Sequence, residues 1–168
     1  MRLALAQINP LVGDLAGNGE RVLAACRQAA AAGADLVLTP ELSLWGYPPR
    51  DLLLRPALLT AQQQALDNLT TALAQACPGL AVLVGIAEPI DGAAAGVMPR
   101  LFNSAALVDG GSWRVVARKR LLPSYDVFDE RRYFRPADTP ALLELERGGR
   151  HWRLGLTICE DLWVEEGL

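Results

Sequence analysis

The residues of this chain that could do chemistry centre on Thr157-Ile158-Cys159-Glu160-Asp161-Leu162-Trp163. Ahead of the thiol, Trp152, Leu154, Leu156 and Ile158 alternate with Arg153, Gly155 and Thr157, the period of a strand with one buried face. Cys159 falls where that strand gives way to a polar turn. A thiol at such a junction, with backbone N–H groups opening beneath it, is one way of presenting a nucleophile. The alternative is a small buried hydrophobe, which most unpaired cysteines are. A free thiol is mostly protonated near neutral pH, so a working cysteine needs a neighbour to take its proton. The single histidine, His151, lies earlier on the same strand, roughly 26 Å away at about 3.3 Å per residue. That separation excludes it as the base and leaves a carboxylate or a lysine.

Two such groups stand just beyond other apolar stretches. Glu41 follows Asp35-Leu36-Val37-Leu38-Thr39 and Pro40; Lys119 follows Val115-Val116-Ala117-Arg118. In an α/β sheet, groups at strand ends can converge on one crevice. In this trio the glutamate could accept the thiol proton, while the ammonium and the Glu160 N–H stabilise a developing oxyanion. Losing one such donor typically costs about 3–4 kcal/mol of transition-state stabilisation. Taken singly, Glu41 also reads as a loop charge, and Lys119 as a solvated cation within Arg118-Lys119-Arg120.

The elements that must carry these residues follow from the hydrophobic pattern. Leu3 to Ile8 predicts a first strand. After a Gly/Asp loop, Asn18 is the expected cap of a helix with Val22, Cys26, Ala29 and Ala30 on one face, stopped by Gly33. Asp35 to Thr39 is a short buried strand. Leu42 to Arg55 reads as a loop, its Trp45-Gly46-Tyr47-Pro48-Pro49 suited to walling a cleft. Pro56 to Ala76 is a helix ended at Cys77-Pro78-Gly79, and Leu80 to Ile86 a strand followed by a Gly/Ala loop. Asp109-Gly110-Gly111 joins Leu101–Val108 to Ser112–Ala117 as a hairpin, and Gly148-Gly149 joins Leu142–Glu146 to His151–Cys159 as another. Strand, helix, strand, helix and then hairpins predict an α/β protein with a mixed sheet.

Composition narrows the partners. The length suffices for one domain, and 51% apolar with 21% charged residues is a globular composition. A net charge of −3 argues against nucleic acid or an anionic membrane as the main partner. No segment approaches the roughly 18 apolar residues of a membrane span. Three cysteines without a C-x-x-C pair fit reduced, cytoplasmic thiols; Cys26 falls on a helix stripe and Cys77 in a helix stop. Neither G-x-G-x-x-G nor G-x-x-x-x-G-K-[ST] occurs, so nothing reads as a phosphate cradle.

The motifs carry a resemblance. Pro40-Glu41, Lys119-x-x-Leu122-Pro123 and Cys159-Glu160-Asp161 are similar to the Glu–Lys–Cys triad motifs of the nitrilase, or carbon–nitrogen hydrolase, superfamily. Within it, Lys119 through Phe134, together with Leu38–Leu42 and Gly46–Leu53, resembles the glutaminase domain of the glutamine-dependent NAD synthetases, and the likeness runs over essentially the whole chain. It implies an α-β-β-α sandwich that hydrolyses the side-chain amide of glutamine and supplies ammonia for making NAD from deamido-NAD. Glu41 would be the general base, Cys159 the nucleophile and Lys119 the stabiliser of the tetrahedral intermediate. Tyr125 would contact the glutamine, and Glu130 would hold Lys119. A stand-alone amidase of the superfamily, or an inactive fragment, are the other readings. Ser124 stands where the family usually has asparagine. The family's sandwich also continues well past this cysteine. Residues 1–168 are thus expected to be the N-terminal part of such a domain, with the synthetase domain that uses ATP and Mg2+ in the same polypeptide, in a homo-oligomer. No metal or cofactor is expected in this part.

Overall fold

The computed structural model describes residues 1–90, 92 and 100–163. Leu36-Val37-Leu38 and Ala81-Val82-Leu83-Val84 can be apolar without interruption because both faces of their sheet are covered. The strands are β1 (Leu3–Leu5), β2 (Leu36–Leu38), β3 (Ala81–Pro89), β4 (Leu101–Asp109), β5 (Ser112–Arg118), β6 (Ala141–Arg147) and β7 (Arg150–Leu156). The helices are α1 (Leu15–Ala31) and α2 (Pro56–Ala76). Strands β1 to β5 form one sheet in chain order, parallel through β3 and antiparallel after it, so the sheet is mixed as expected.

The two faces bury different partners. Val37, Val82 and Val84 pack against Val22 and Cys26 of α1 and Leu66, Leu69 and Leu73 of α2. Leu36, Ala81, Leu83 and Leu107 point the other way, onto Leu143, Leu145, Leu154 and Leu156 of the β6–β7 pair. The layers run helix, sheet, sheet. Period-2 alternation along β3 sends successive residues to opposite cores, which ties all three layers to one strand. Both predicted hairpins form, and Gly110, Gly111, Gly148 and Gly149 all take positive φ, the geometry that two-residue turns of the primed type require. The Gly/Ala stretch expected after β3 lies, apart from Gly92, outside the described residues.

Some boundaries differ from expectation. Strand β1 ends at Leu5 rather than Ile8, although Ala6 still donates to the Leu38 carbonyl at 2.8 Å. Helix α1 begins earlier than Asn18, because Asp14 is the cap and accepts from Gly17 N at 3.0 Å. Asn18 is fully buried one turn inside, where its amide bonds Leu11 N and O at 2.8 Å and Leu44 O at 2.9 Å. The side chain thus staples two loops to the helix. The Leu42–Arg55 loop contains a 3-10 turn, Arg50–Leu54. Strand β7 stops at Leu156, and Thr157-Ile158 carry the extended chain on to Cys159. Among the described residues no helix is long and apolar enough to cross a membrane.

Candidate active site

The ends of β2, β5 and β7 bring Glu41, Lys119 and Cys159 together, and each arrives by a different local device. Beyond β2, Thr39 N donates to Leu83 O at 3.1 Å, and the Thr39 and Ser43 hydroxyls bond each other at 2.8 Å. Ser43 Oγ accepts from Gly85 N at 3.0 Å, and Leu44 N donates to Gly85 O at 3.2 Å. The turn bearing Glu41 is thereby laid flat on β3. It can lie there because Gly85 has no side chain: a Cβ would stand 2.7 Å from Pro40 O and 2.8 Å from Ser43 N.

Lys119 follows β5 directly. Its N–H donates to the Asn103 carbonyl at 2.8 Å, which keeps it in register with β4. The side chain is fully buried, and Nζ donates to Glu41 Oε1 at 2.7 Å and Glu130 Oε1 at 2.9 Å. Burial works against the lysine charge, but the Glu41 charge and the hydrogen bonds that Nζ donates to both carboxylates outweigh it, so Lys119 titrates above an ordinary lysine. Burial and the Glu41 charge raise the Glu130 carboxyl, against the pull of Lys119 and of Tyr47, whose hydroxyl donates to Glu130 Oε1 at 2.8 Å.

Cys159 opens a short 3-10 turn, Cys159–Leu162, with its backbone in the left-handed region at φ 50°. A β-carbon makes that conformation costly by roughly 1–2 kcal/mol, so other contacts must hold it. Asp161 supplies them. It is 3% exposed; Oδ1 accepts from Arg120 N at 3.0 Å and Leu121 N at 2.8 Å, and Oδ2 accepts from Ile158 N at 3.0 Å. One carboxylate therefore joins the thiol turn to the segment just after Lys119. Replacing Asp161 with alanine would strand three N–H groups, and denaturant titration of the full-length protein should show a loss of about 3 kcal/mol or more. A loss below about 0.5 kcal/mol would remove the clamp from this account.

Cys159 is exposed as a residue, yet its thiol is pushed up to about 11, first by burial of the sulfur and then by the Glu41 charge, with Lys119 opposing. The thiol lies within hydrogen-bonding reach of Glu41. At neutral pH the sulfur is thus a protonated thiol beside a carboxylate, an arrangement suited to general-base attack rather than to a standing thiolate. Glu41, Asn103, Thr157 and Cys159 line a cavity of about 250 Å³. A larger cavity, about 690 Å³, opens by Glu130 between Tyr47 and Tyr133, but neither Glu41 nor Cys159 lines it.

The remaining expectations fall as follows. Glu130 is buried and bonded to Lys119, not a surface charge. Tyr125 is half exposed, its hydroxyl 3.1 Å from both Glu160 oxygens and its ring edge-on to Phe128, so a phenol and a carboxylate flank the thiol turn. Ser124 Oγ accepts from Arg131 N at 3.3 Å. His151 is exposed beside the β6–β7 turn, paired across from Glu146. Cys26 is buried, and burial pushes its thiol up to about 12, as suits a core residue. Sequence reasoning missed Asn103, Asp161 and the Tyr47 hydroxyl. Asn103 carried a signal, an amide that with Ser104 interrupts the apolar Leu101–Val108 run. Among the described residues no group of three or more His, Cys, Asp or Glu side chains is placed to hold a metal ion.

Comparison with known proteins follows the same geometry. The carbon–nitrogen hydrolase family model matches residues 2–168. A glutamine-dependent NAD(+) synthetase of Synechocystis sp. is 43% identical over 98% of this chain, which spans 28% of that relative's length. The structure of a glutamine-dependent NAD+ synthetase from Acinetobacter baumannii, in complex with ADP, superposes with a TM-score of 0.76 at 34% identity, covering 96% of this chain and 28% of that one. An amidase from Nesterenkonia sp. AN1 superposes with a TM-score of 0.68 at 25% identity, over 95% of this chain and 57% of its own. That structure is of a glutamate-to-glutamine mutant and shows Michael addition of acrylamide at the active-site cysteine. On the family match, over a fold that sets a glutamate and a cysteine on one cavity and a buried lysine against that glutamate, the chain belongs to the carbon–nitrogen hydrolase family.

Proposed function

We propose that this chain is the front part of a glutaminase domain that cleaves the side-chain amide of glutamine through Cys159 and passes the ammonia to NAD synthesis in the same longer polypeptide. The observation that carries this reading is the Lys119 ammonium on Glu41 Oε1 at 2.7 Å, with the Cys159 thiol in reach of the same carboxylate. Glu41 takes the thiol proton as sulfur attacks the amide carbon. The negative charge passes to the carbonyl oxygen, which Lys119 and the Glu160 N–H stabilise. That N–H stands in the first turn of its 3-10 segment, before any carbonyl of the turn that could accept it. Protonated Glu41 gives its proton to the leaving nitrogen, ammonia departs, and a γ-glutamyl thioester remains. Water deprotonated by Glu41 then attacks the thioester, the oxyanion collapses, and glutamate leaves as the thiol regains its proton.

Glu130 keeps Lys119 charged and aimed. Tyr125 and Glu160 stand where the amino-acid end of the substrate enters, a phenol and a carboxylate suited to an α-ammonium group. In this reading ATP and Mg2+ serve the amidating step elsewhere in the polypeptide and take no part in the thiol chemistry.

In the full-length protein, Cys159→Ala is expected to lose glutamine-dependent NAD synthesis by at least about 10⁴-fold while keeping ammonia-dependent synthesis. A diazo-ketone analogue of glutamine should label Cys159 in the unmodified protein. Glutamine use surviving in the alanine variant would refute the assignment.

A further inference from the structure

Asn103 sits in the middle of β4, 1% exposed, and has no place in the reaction as described so far. Its Nδ2 donates to Glu41 Oε1 at 2.6 Å, and its main-chain oxygen accepts from Lys119 N at 2.8 Å. One residue thus touches both the base and the backbone that carries the ammonium. Lys119 Nζ donates to that same Oε1, so two donors converge on one carboxylate oxygen. The other oxygen, Oε2, keeps its lone pairs for a proton.

The backing of Asn103 is rigid. Across the ladder it faces Ala87, whose N–H and carbonyl are both held by Gln62 of α2, at 2.8 and 2.9 Å. The arrangement carries a cost: Asn103 Oδ1 is buried and without a hydrogen-bond partner. Flipping the amide would set that oxygen against the Glu41 carboxylate, so the orientation follows from the bond that Nδ2 makes. An apolar side chain would fill this strand position without leaving an orphaned acceptor. Orphaned buried polar atoms call for a reason beyond packing, and the convergence on Glu41 supplies one.

We infer that Asn103 is a positioning residue for this reaction: with Lys119 it fixes Glu41 Oε1, so that Oε2 is presented to the Cys159 thiol and, later, to the hydrolytic water. The inference rests on the glutaminase reading above. Asn103 touches neither substrate nor sulfur; it acts through Glu41.

The test compares Asn103→Ala and Asn103→Asp with the unmodified full-length protein, following kcat and KM for glutamine hydrolysis across about pH 5–10. The charged or titratable groups facing Glu41 are Lys119, Glu130, Cys159 and Tyr47, and all stay in place in both variants. Expected are a fall in kcat of about 10- to 100-fold with KM within about 3-fold, and an acid limb displaced to higher pH. Alanine removes a donor that favours the charged carboxylate, and aspartate sets a second carboxylate beside it, so the displacement is larger for aspartate. Aspartate is nearly isosteric and keeps the strand packed, so it serves if the alanine variant does not fold. An acid limb unmoved in both variants, or losses confined to KM or to thermal stability, would overturn the inference. The glutaminase reading is judged separately, on the unmodified protein: glutamine hydrolysis with labelling at Cys159 sustains it whatever the variants do, and absence of both overturns both.

Discussion

Gly85→Ala should abolish most of the proposed glutaminase activity without altering any residue assigned to the reaction. The added methyl group would meet backbone on three sides, at 2.7 Å from Pro40 O, 2.8 Å from Ser43 N and closer still to Leu42 N. Flexible side chains can swing away from such a contact; these atoms cannot. They belong to the turn that carries Glu41, and that turn is bonded to Gly85 through Ser43 Oγ and Leu44 N. The substitution therefore either lifts the turn off β3, breaking those bonds, or bends β3 between its two cores. Overpacking of this kind costs about 3 kcal/mol, and a displacement of about 1 Å at the base costs about 100-fold in rate. Thermal melts and glutamine hydrolysis by the full-length variant measure the two effects. Ser43→Ala is the control: it removes the Ser43 Oγ bonds to Gly85 N and to Thr39 Oγ1 without forcing the turn outward and should lose far less. Near-normal activity in Gly85→Ala would mean that Glu41 is not held by the contact described here.

How much of this site could be read from the chain depends on where each residue gets its partners. Cys159, Glu41 and Lys119 were legible because each stands just past a short apolar stretch, and strand ends on one side of an α/β layer meet in space. Burial alternates along Trp152 to Ile158 as the pattern required. Glu130 and Tyr125 came from motif likeness rather than from periodicity, since nothing in Asp129-Glu130-Arg131-Arg132 distinguishes a buried carboxylate from a surface one. Asn18 was misread for a related reason. A local cap rule sees a polar residue before an apolar stripe; it does not see Leu11 and Leu44, whose backbone groups draw that amide inward and leave the cap to Asp14. The bonds of Asn103 to Glu41 and of Asp161 to Arg120 span 62 and 41 residues, beyond any local signal. Gly85 looks like one more small residue in an apolar strand. What requires glycine there is a loop from another part of the chain lying on it.

Lys119→Met should cost both stability and rate, and its damage should depend on pH in a stated direction. Methionine fills much of the same volume, so the loss is of charge rather than packing. In the native site one ammonium, wholly buried, is shared by Glu41 at 2.7 Å and Glu130 at 2.9 Å. Its removal leaves two carboxylates facing one another with Glu130 at 4% exposure, and breaking a buried ion pair by deleting one partner costs about 3–5 kcal/mol. In the proposed mechanism, loss of the cation at the oxyanion adds about 10²–10³-fold in kcat. Burial and then the Glu41 charge already raise the Glu130 carboxyl, and Lys119 is one of the groups that hold it down. Without Lys119 it rises further. A carboxyl whose folded-state pKa lies above its unfolded one contributes stability that is present at low pH and lost as pH rises through the folded value. The variant should therefore melt higher near about pH 5 than near about pH 8. In the unmodified protein the lysine acts with the same sign but in a higher window: its raised pKa gives stability that is fully present below the unfolded lysine range, about 10.4, and fades only as pH climbs past it. Thermal melts of both proteins at the two pH values separate the cases. Equal melting temperatures for the variant at both would show that Glu130 finds another cation when Lys119 is gone, and that the ion pair described here is not what keeps the two carboxylates apart.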